Sequence, residues 1–192
     1  MSGVYYIALE AGRAALVFLP VLWIAMRFVF HRDFRYILGE SIFGFYILSV
    51  FAAVGFPSLR YFVVDFGANF IPFEWLLDFS AGYMVNMILN IALFLPFGVL
   101  LPMLGERWKT LKSVVLAGFL FSLFIEIMQI FSFRTTDVDD LIMNTLGAAA
   151  GYGIWKLLSK RTLVEKIQLD CERLEMGVVF MAAVLVKFFV SF

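Results

Sequence analysis

The sequence predicts an all-α, polytopic membrane helix bundle, and three observations carry that prediction. Hydrophobic residues fill 63% of the 192 positions and charged residues only 16%, where a soluble domain is nearer half apolar and a quarter charged. The mean hydropathy is +0.95, and a globule of this size cannot hide so much apolar surface in one core. The apolar residues also fall into six runs, roughly 14–30, 37–56, 84–104, 113–133, 141–158 and 176–192. Each run is close to the ~17–25 residues that cross the hydrocarbon of a bilayer. Six transmembrane helices are therefore expected, or five with the last segment interfacial. Residues 1–192 read as a single membrane domain, without internal repeats or low-complexity tracts. The stretch before the first run lacks a basic n-region and a cleavage site, so the first span is expected to be retained.

Charge and rare residues exclude other classes. Fifteen Lys+Arg balance fifteen Asp+Glu, whereas a nucleic-acid binder wants a net positive charge. The single cysteine, Cys171, and the single histidine, His31, cannot supply an internal disulfide or a Cys/His zinc site. Both are expected to be solvent-side loop residues. Any chemistry is left to carboxylates, amides, hydroxyls and arginines.

The basic residues orient the bundle. Eleven of the fifteen fall in alternate loops: Arg27, Arg32 and Arg35; Arg107, Lys109 and Lys112; Lys156, Lys160, Arg161, Lys166 and Arg173. Arg13, Arg60, Arg134 and Lys187 fall one in each remaining region. Positive-inside logic puts the rich loops in the cytoplasm and both termini outside. The neutral chain thereby divides into a positive inner and a negative outer face. The second loop, about Pro57 to Tyr83, is long and aromatic, with Phe62, Phe66, Phe70, Phe73, Trp75 and Phe79. It suits a segment in the outer interface or a re-entrant piece against the bundle.

Polar groups inside spans need a reason, because a carboxylate near the bilayer centre costs on the order of 2.5–3.5 kcal/mol. Ser122, Glu126 and Gln129 share one face of the fourth span, at spacings of four and three. Asn86 and Asn90 share a face of the third, where Asn86 reads as interhelical glue. Asp137, Asp140 and Asn144 share a face at the start of the fifth, with Asp139 beside them. At a rise of ~1.5 Å per residue, Asn90 and Glu126 lie roughly 9–10 Å below the outer ends of their helices. Asn144 sits a turn into its own, with Arg134 in the short loop above. Three neighbouring helices thus supply one candidate site open to the outside. Gly147 and Gly151 permit a close helix approach, and Pro96 should kink the third span near Asn90. Plainer readings exist. The aspartates suit a helix N-terminus, with Thr136 and Asp139 at capping-box spacing, and Glu126 suits a structural pair with Arg134. The acidic run lacks the Gly and terminal Glu of an EF-hand.

The same residues resemble the VanZ-like family of bacterial membrane proteins. The resemblance runs through Asn69-Phe-Ile-Pro72-Phe73, Asn90-x-x-x-Phe94-x-Pro96-x-Gly98, Ser122-x-x-x-Glu126-x-x-Gln129, Arg134-x-x-Asp137-x-Asp139-Asp140 and Asn144-x-x-Gly147. It covers about residues 69–151, the motif core. It implies a multi-pass protein of the bacterial cell membrane, linked to tolerance of glycopeptide (teicoplanin) or lipoglycopeptide antibiotics.

Three functions compete. The first is recognition of an envelope lipid headgroup or cell-wall-related ligand, a cell-wall precursor or glycopeptide-related molecule, on the extracellular or periplasmic side. Arg134 would bind phosphate or carboxylate. Asp137, Asp139 and Asp140 would hold a divalent cation or an amine, and Asn90, Ser122, Glu126, Gln129 and Asn144 would complete the floor. The alternative is a metal-dependent enzyme acting on a lipid-linked phosphate, with Glu126 and Asp140 as catalytic candidates. A transporter would need a polar path through the inner half, where only Glu40 and Arg27 are offered.

Overall fold

A computed structural model describes residues 2–60, 62–64, 66–69, 71–73, 81–132, 135–159 and 169–190, the side chains of 2–4 and 173 excepted. Six long helices follow the apolar runs: α1 (Ser2–Ile24, prolonged by a π-turn over Ala25–Val29), α2 (Phe34–Ala53), α3 (Ala81–Leu104), α4 (Leu111–Gln129), α5 (Val138–Leu158) and α6 (Arg173–Val190). The chain is an all-α membrane helix bundle. Tyr5–Val29, α2, α3 and α4 are each long and apolar enough to cross a bilayer. The other two carry more polar groups: Asp139, Asp140 and Asn144 in α5, and Arg173, Glu175 and Lys187 in α6.

The helix ends follow local chemistry. The Thr110 side chain accepts the Ser113 N–H and caps α4, and Asp137 accepts the Asp139 N–H and caps α5. At the end of α2, Gly55 takes φ 69° and the Phe56 N–H reaches back to the Phe51 carbonyl. This is a glycine-terminated Schellman turn. The start of α1 differs from the apolar run, beginning near residue 2 rather than 14. Helix formation there is sustained by buried Ala11, Ala14 and Ala15 and by Glu10, which accepts an ion-paired hydrogen bond from Lys187 of α6.

Consecutive helices alternate in direction. Contacts between Glu10 and Lys187 and between Arg32 and Glu175 set α1 antiparallel to α6. Asn90 meets Asp140, and Gly98 meets Ala148 and Tyr152, so α3 and α5 run parallel. Between α3 and α4, Phe97 stacks on Phe121 at 5.4 Å. Phe51, Phe94, Phe121 and Phe124 knit α2, α3 and α4 together around Phe180 of α6. Such ring pairs contribute beyond their buried area. The outer surface keeps large apolar side chains such as Leu16, Phe28, Leu120 and Leu157 exposed, as a lipid-facing surface requires.

α3 and α5 pack backbone against backbone. A Cβ on Gly98 would run into the Ala148 carbonyl and come within 2.8 Å of the Tyr152 nitrogen, while Gly147 faces the Ile91 carbonyl and Gly151 the Leu95 carbonyl. Small residues here let two backbones touch. Pro96 lies within α3, and beside it the Leu93 carbonyl accepts the Tyr46 hydroxyl of α2 at 2.9 Å. The described parts of the second loop cross one end of the bundle. The Leu59 N–H donates to the Phe188 carbonyl, and Phe62 stacks on Phe131. Residues Ala68–Asn69 (β1) form a parallel two-residue pairing with Thr136–Asp137 (β2).

Candidate functional site

The crossing of α3, α4 and α5 creates the site. Gly98, Gly147 and Gly151 draw α5 onto α3, and this brings polar residues from separate helices to one depth. A cavity of about 510 Å³ opens between them, lined by Asn86, Asn90, Glu126, Gln129, Asp140 and Asn144 together with Ile7 and apolar residues of α2 and α3. Glu126, Gln129 and Asn144 are almost fully buried, at 4%, 4% and 2% exposure. A buried polar group costs free energy unless it is hydrogen-bonded, so the partners of each decide what the site can do.

Glu126 is tied to the entrance of α5. Its Oε2 accepts the Asp137 N–H at 3.0 Å, and its own carbonyl accepts the Thr136 hydroxyl at 3.1 Å. Asn144 donates to the Ser122 hydroxyl at 2.9 Å, which places Ser122 behind the cavity wall. Asn90 donates to the Asp140 carboxylate. Gln129 donates to the Val54 carbonyl at 3.2 Å, an acceptor released by the Schellman turn that ends α2. The side-chain oxygens of Gln129 and Asn144 are buried and, among the described residues, accept no hydrogen bond. Two carboxylates and two amide oxygens on one wall make the cavity acceptor-rich. It suits a ligand that brings donors: an ammonium, hydroxyls or amide N–H groups.

The three aspartates divide their roles. Asp140 faces the cavity. Asp137 caps α5, and burial pushes its carboxyl above the ordinary aspartate range. Asp139 accepts the Phe73 N–H at 2.9 Å and the Tyr83 hydroxyl, fastening the second loop and the start of α3 to α5. Arg134 lies outside the described residues, as do Phe70, Trp75 and Phe79 of the loop. Asn86, read from its spacing as interhelical glue, is a lining residue of the cavity and exposed.

Sequence reasoning missed the contributions of α1 and α2, namely Ile7 and the Val54 carbonyl. A backbone acceptor has no side-chain signature, although Gly55 after an apolar run marks a helix end with orphan carbonyls. The expectation for Cys171 is corrected. It is 3% exposed, not solvent-side, because its N–H pairs with the Leu104 carbonyl and carries the chain under the end of α3.

An α-helical membrane bundle with a polar cavity sunk into one end defines a class of protein. Within that class, the VanZ/LLP1 family model matches residues 43–159, more than half of the chain, and the chain belongs to that family. The match contains every polar residue of the cavity wall and excludes α1 and α6. The chain is similar to Protein VanZ of Enterococcus faecium, with 29% identity over 138 residues, 68% of this chain and 81% of that protein. No solved structure matches.

Proposed function

We propose that this is a multi-pass protein of the bacterial cell membrane that contributes to tolerance of glycopeptide antibiotics such as teicoplanin. Its cavity opens to the outer side and recognises an envelope lipid headgroup or cell-wall-related ligand. The observation that supports this reading is the convergence of Asn90, Glu126, Gln129, Asp140 and Asn144 on one cavity in an otherwise apolar bundle. Intramembrane acids on an inward face mark ligand pathways more often than packing. The family relation supplies the antibiotic context. Orientation rests on the basic loops, whose described members, among them Arg32, Arg107 and Lys109, lie at the end opposite the cavity.

The test is genetic. In a host where the gene raises the teicoplanin inhibitory concentration, Glu126→Ala and Asn144→Leu should return it to the empty-vector level at equal membrane abundance. Retained tolerance would sink the assignment. A second reading, metal-dependent turnover of a lipid-linked phosphate, draws on the shared placement of Glu126 and Asp140. It requires a Mg²⁺-dependent, EDTA-sensitive product from lipid-linked precursors, lost in Asp140→Asn.

A further inference from the structure

At the opposite end of the bundle three polar side chains are as fully buried as those of the cavity. Glu40 of α2 is 0% exposed, Glu175 of α6 1% and Cys171 3%. One ligand atom from each lies within 4.8 Å of the other two. Neither carboxylate oxygen of Glu40 meets a nitrogen or hydroxyl donor among the described residues, and the polar group beside it is the Cys171 thiol. Two carboxylates beside a thiol, sealed from water, need positive charge. Arg32 supplies part of it, gripping Glu175 through two guanidinium nitrogens, while the Glu172 N–H binds the same carboxylate. Arg32 spends its hydrogen bonds on Glu175 and Glu172 and not on Glu40, and a buried carboxylate without a bonded partner is costly.

We propose that Glu40, Cys171 and Glu175 form a buried divalent-metal site of zinc type, independent of the polar cavity. The donor chemistry fits. Zinc takes thiolate and carboxylate ligands together, at about 2.3 Å to sulfur and 2.0–2.2 Å to oxygen, and completes a tetrahedron with water. Those bond lengths set ligand atoms roughly 3.3–3.8 Å apart, against separations of at most 4.8 Å in the cluster. The charge fits as well. Two carboxylates and a thiolate carry −3, Arg32 carries +1, and a dication brings the cluster to zero. Binding expels the thiol proton. Arg32 serves as the outer partner that orients Glu175. The site fastens α2, the segment entering α6 and α6 itself. By the basic-loop orientation it faces the cytoplasm, where a lone cysteine stays reduced.

Purified full-length protein, reconstituted with Zn²⁺ or Co²⁺ in detergent, tests this. The expected result is about one zinc per chain. The Co²⁺ form should show a near-ultraviolet thiolate-to-cobalt charge-transfer band, absent in Cys171→Ser, and Glu40→Gln should weaken metal affinity at least tenfold. Because Cys171 is the chain's one cysteine, a second readout needs no variant: stripping zinc from the native protein should speed maleimide alkylation at least tenfold. Substoichiometric zinc, a cobalt band that survives in Cys171→Ser, or alkylation indifferent to zinc would each overturn the site.

Discussion

At the scale of single residues, the same amino acid does different work according to what it meets. Asp137, Asp139 and Asp140 are within four positions, yet one caps a helix, one fastens a loop and one lines the cavity. Sequence spacing showed that Asp137, Asp140 and Asn144 share a face. It could not show that Asp139 would find the Phe73 N–H sixty-six residues away. Asp137 gives a pH prediction. Burial raises its carboxyl above the ordinary aspartate value, so folding favours the protonated form. Its stabilising contribution is full below that value and fades as pH rises through the raised folded value. Asp137→Asn keeps a capping oxygen without the desolvated charge. Thermal melting in detergent from pH 3 to 8 should show the variant losing less stability with rising pH than the native protein. Asp137→Ala, which forfeits the cap, should lose about 1 kcal/mol.

At the scale of elements, the α3–α5 contact decides whether the site exists. The run Gly147-Ala-Ala-Ala-Gly151 announces a close approach but not its partner. The partner, Gly98 of α3, lies in Phe94-Leu-Pro96-Phe-Gly98 and becomes recognisable only when the two backbones meet. Overpacking a tight contact costs roughly 1–3 kcal/mol. Gly98→Ala should reach at least that, because the obstacle is the backbone of Ala148 and Tyr152. Gly153 has nothing within 4 Å of a built Cβ, and Gly153→Ala should melt within a degree or two of the native protein. Equal melting of the two variants would show that the α3–α5 approach is looser than described. Gly98→Ala should also weaken teicoplanin tolerance, since it spreads Asn90 from Asp140.

For the whole molecule, the alternation of helix directions gathers the cavity, the Glu10–Lys187 pair and the described second loop at one end. The Glu40–Cys171–Glu175 cluster and the Arg32 pair sit at the other. This polarity sharpens the orientation inferred from the basic loops into a labelling prediction. In a Cys171→Ser background, Thr135→Cys should react with an impermeant maleimide on intact cells. Lys112→Cys should react only after permeabilisation. The reverse pattern would invert the bundle and turn the cavity inward. The Glu10–Lys187 pair, with Lys187 buried and Glu10 partly so, joins α1 to α6. Lys187→Met should be better tolerated than Lys187→Asp, which sets two carboxylates together in a partly buried contact.

The sequence by itself determined the fold class, the run of six helices to within a few residues except at the N-terminus, and the polar residues worth examining. These depend on composition and on periodicities that each segment carries alone. The tertiary structure decided which of those residues share a space. It recruited the Val54 carbonyl and Ile7 from helices with no polar signal, turned Asp139 away to the loop, and buried Cys171 between Glu40 and Glu175. Such pairings join positions from tens to well over a hundred residues apart. They are set by how closely backbones approach, a property of two surfaces together that neither segment encodes alone.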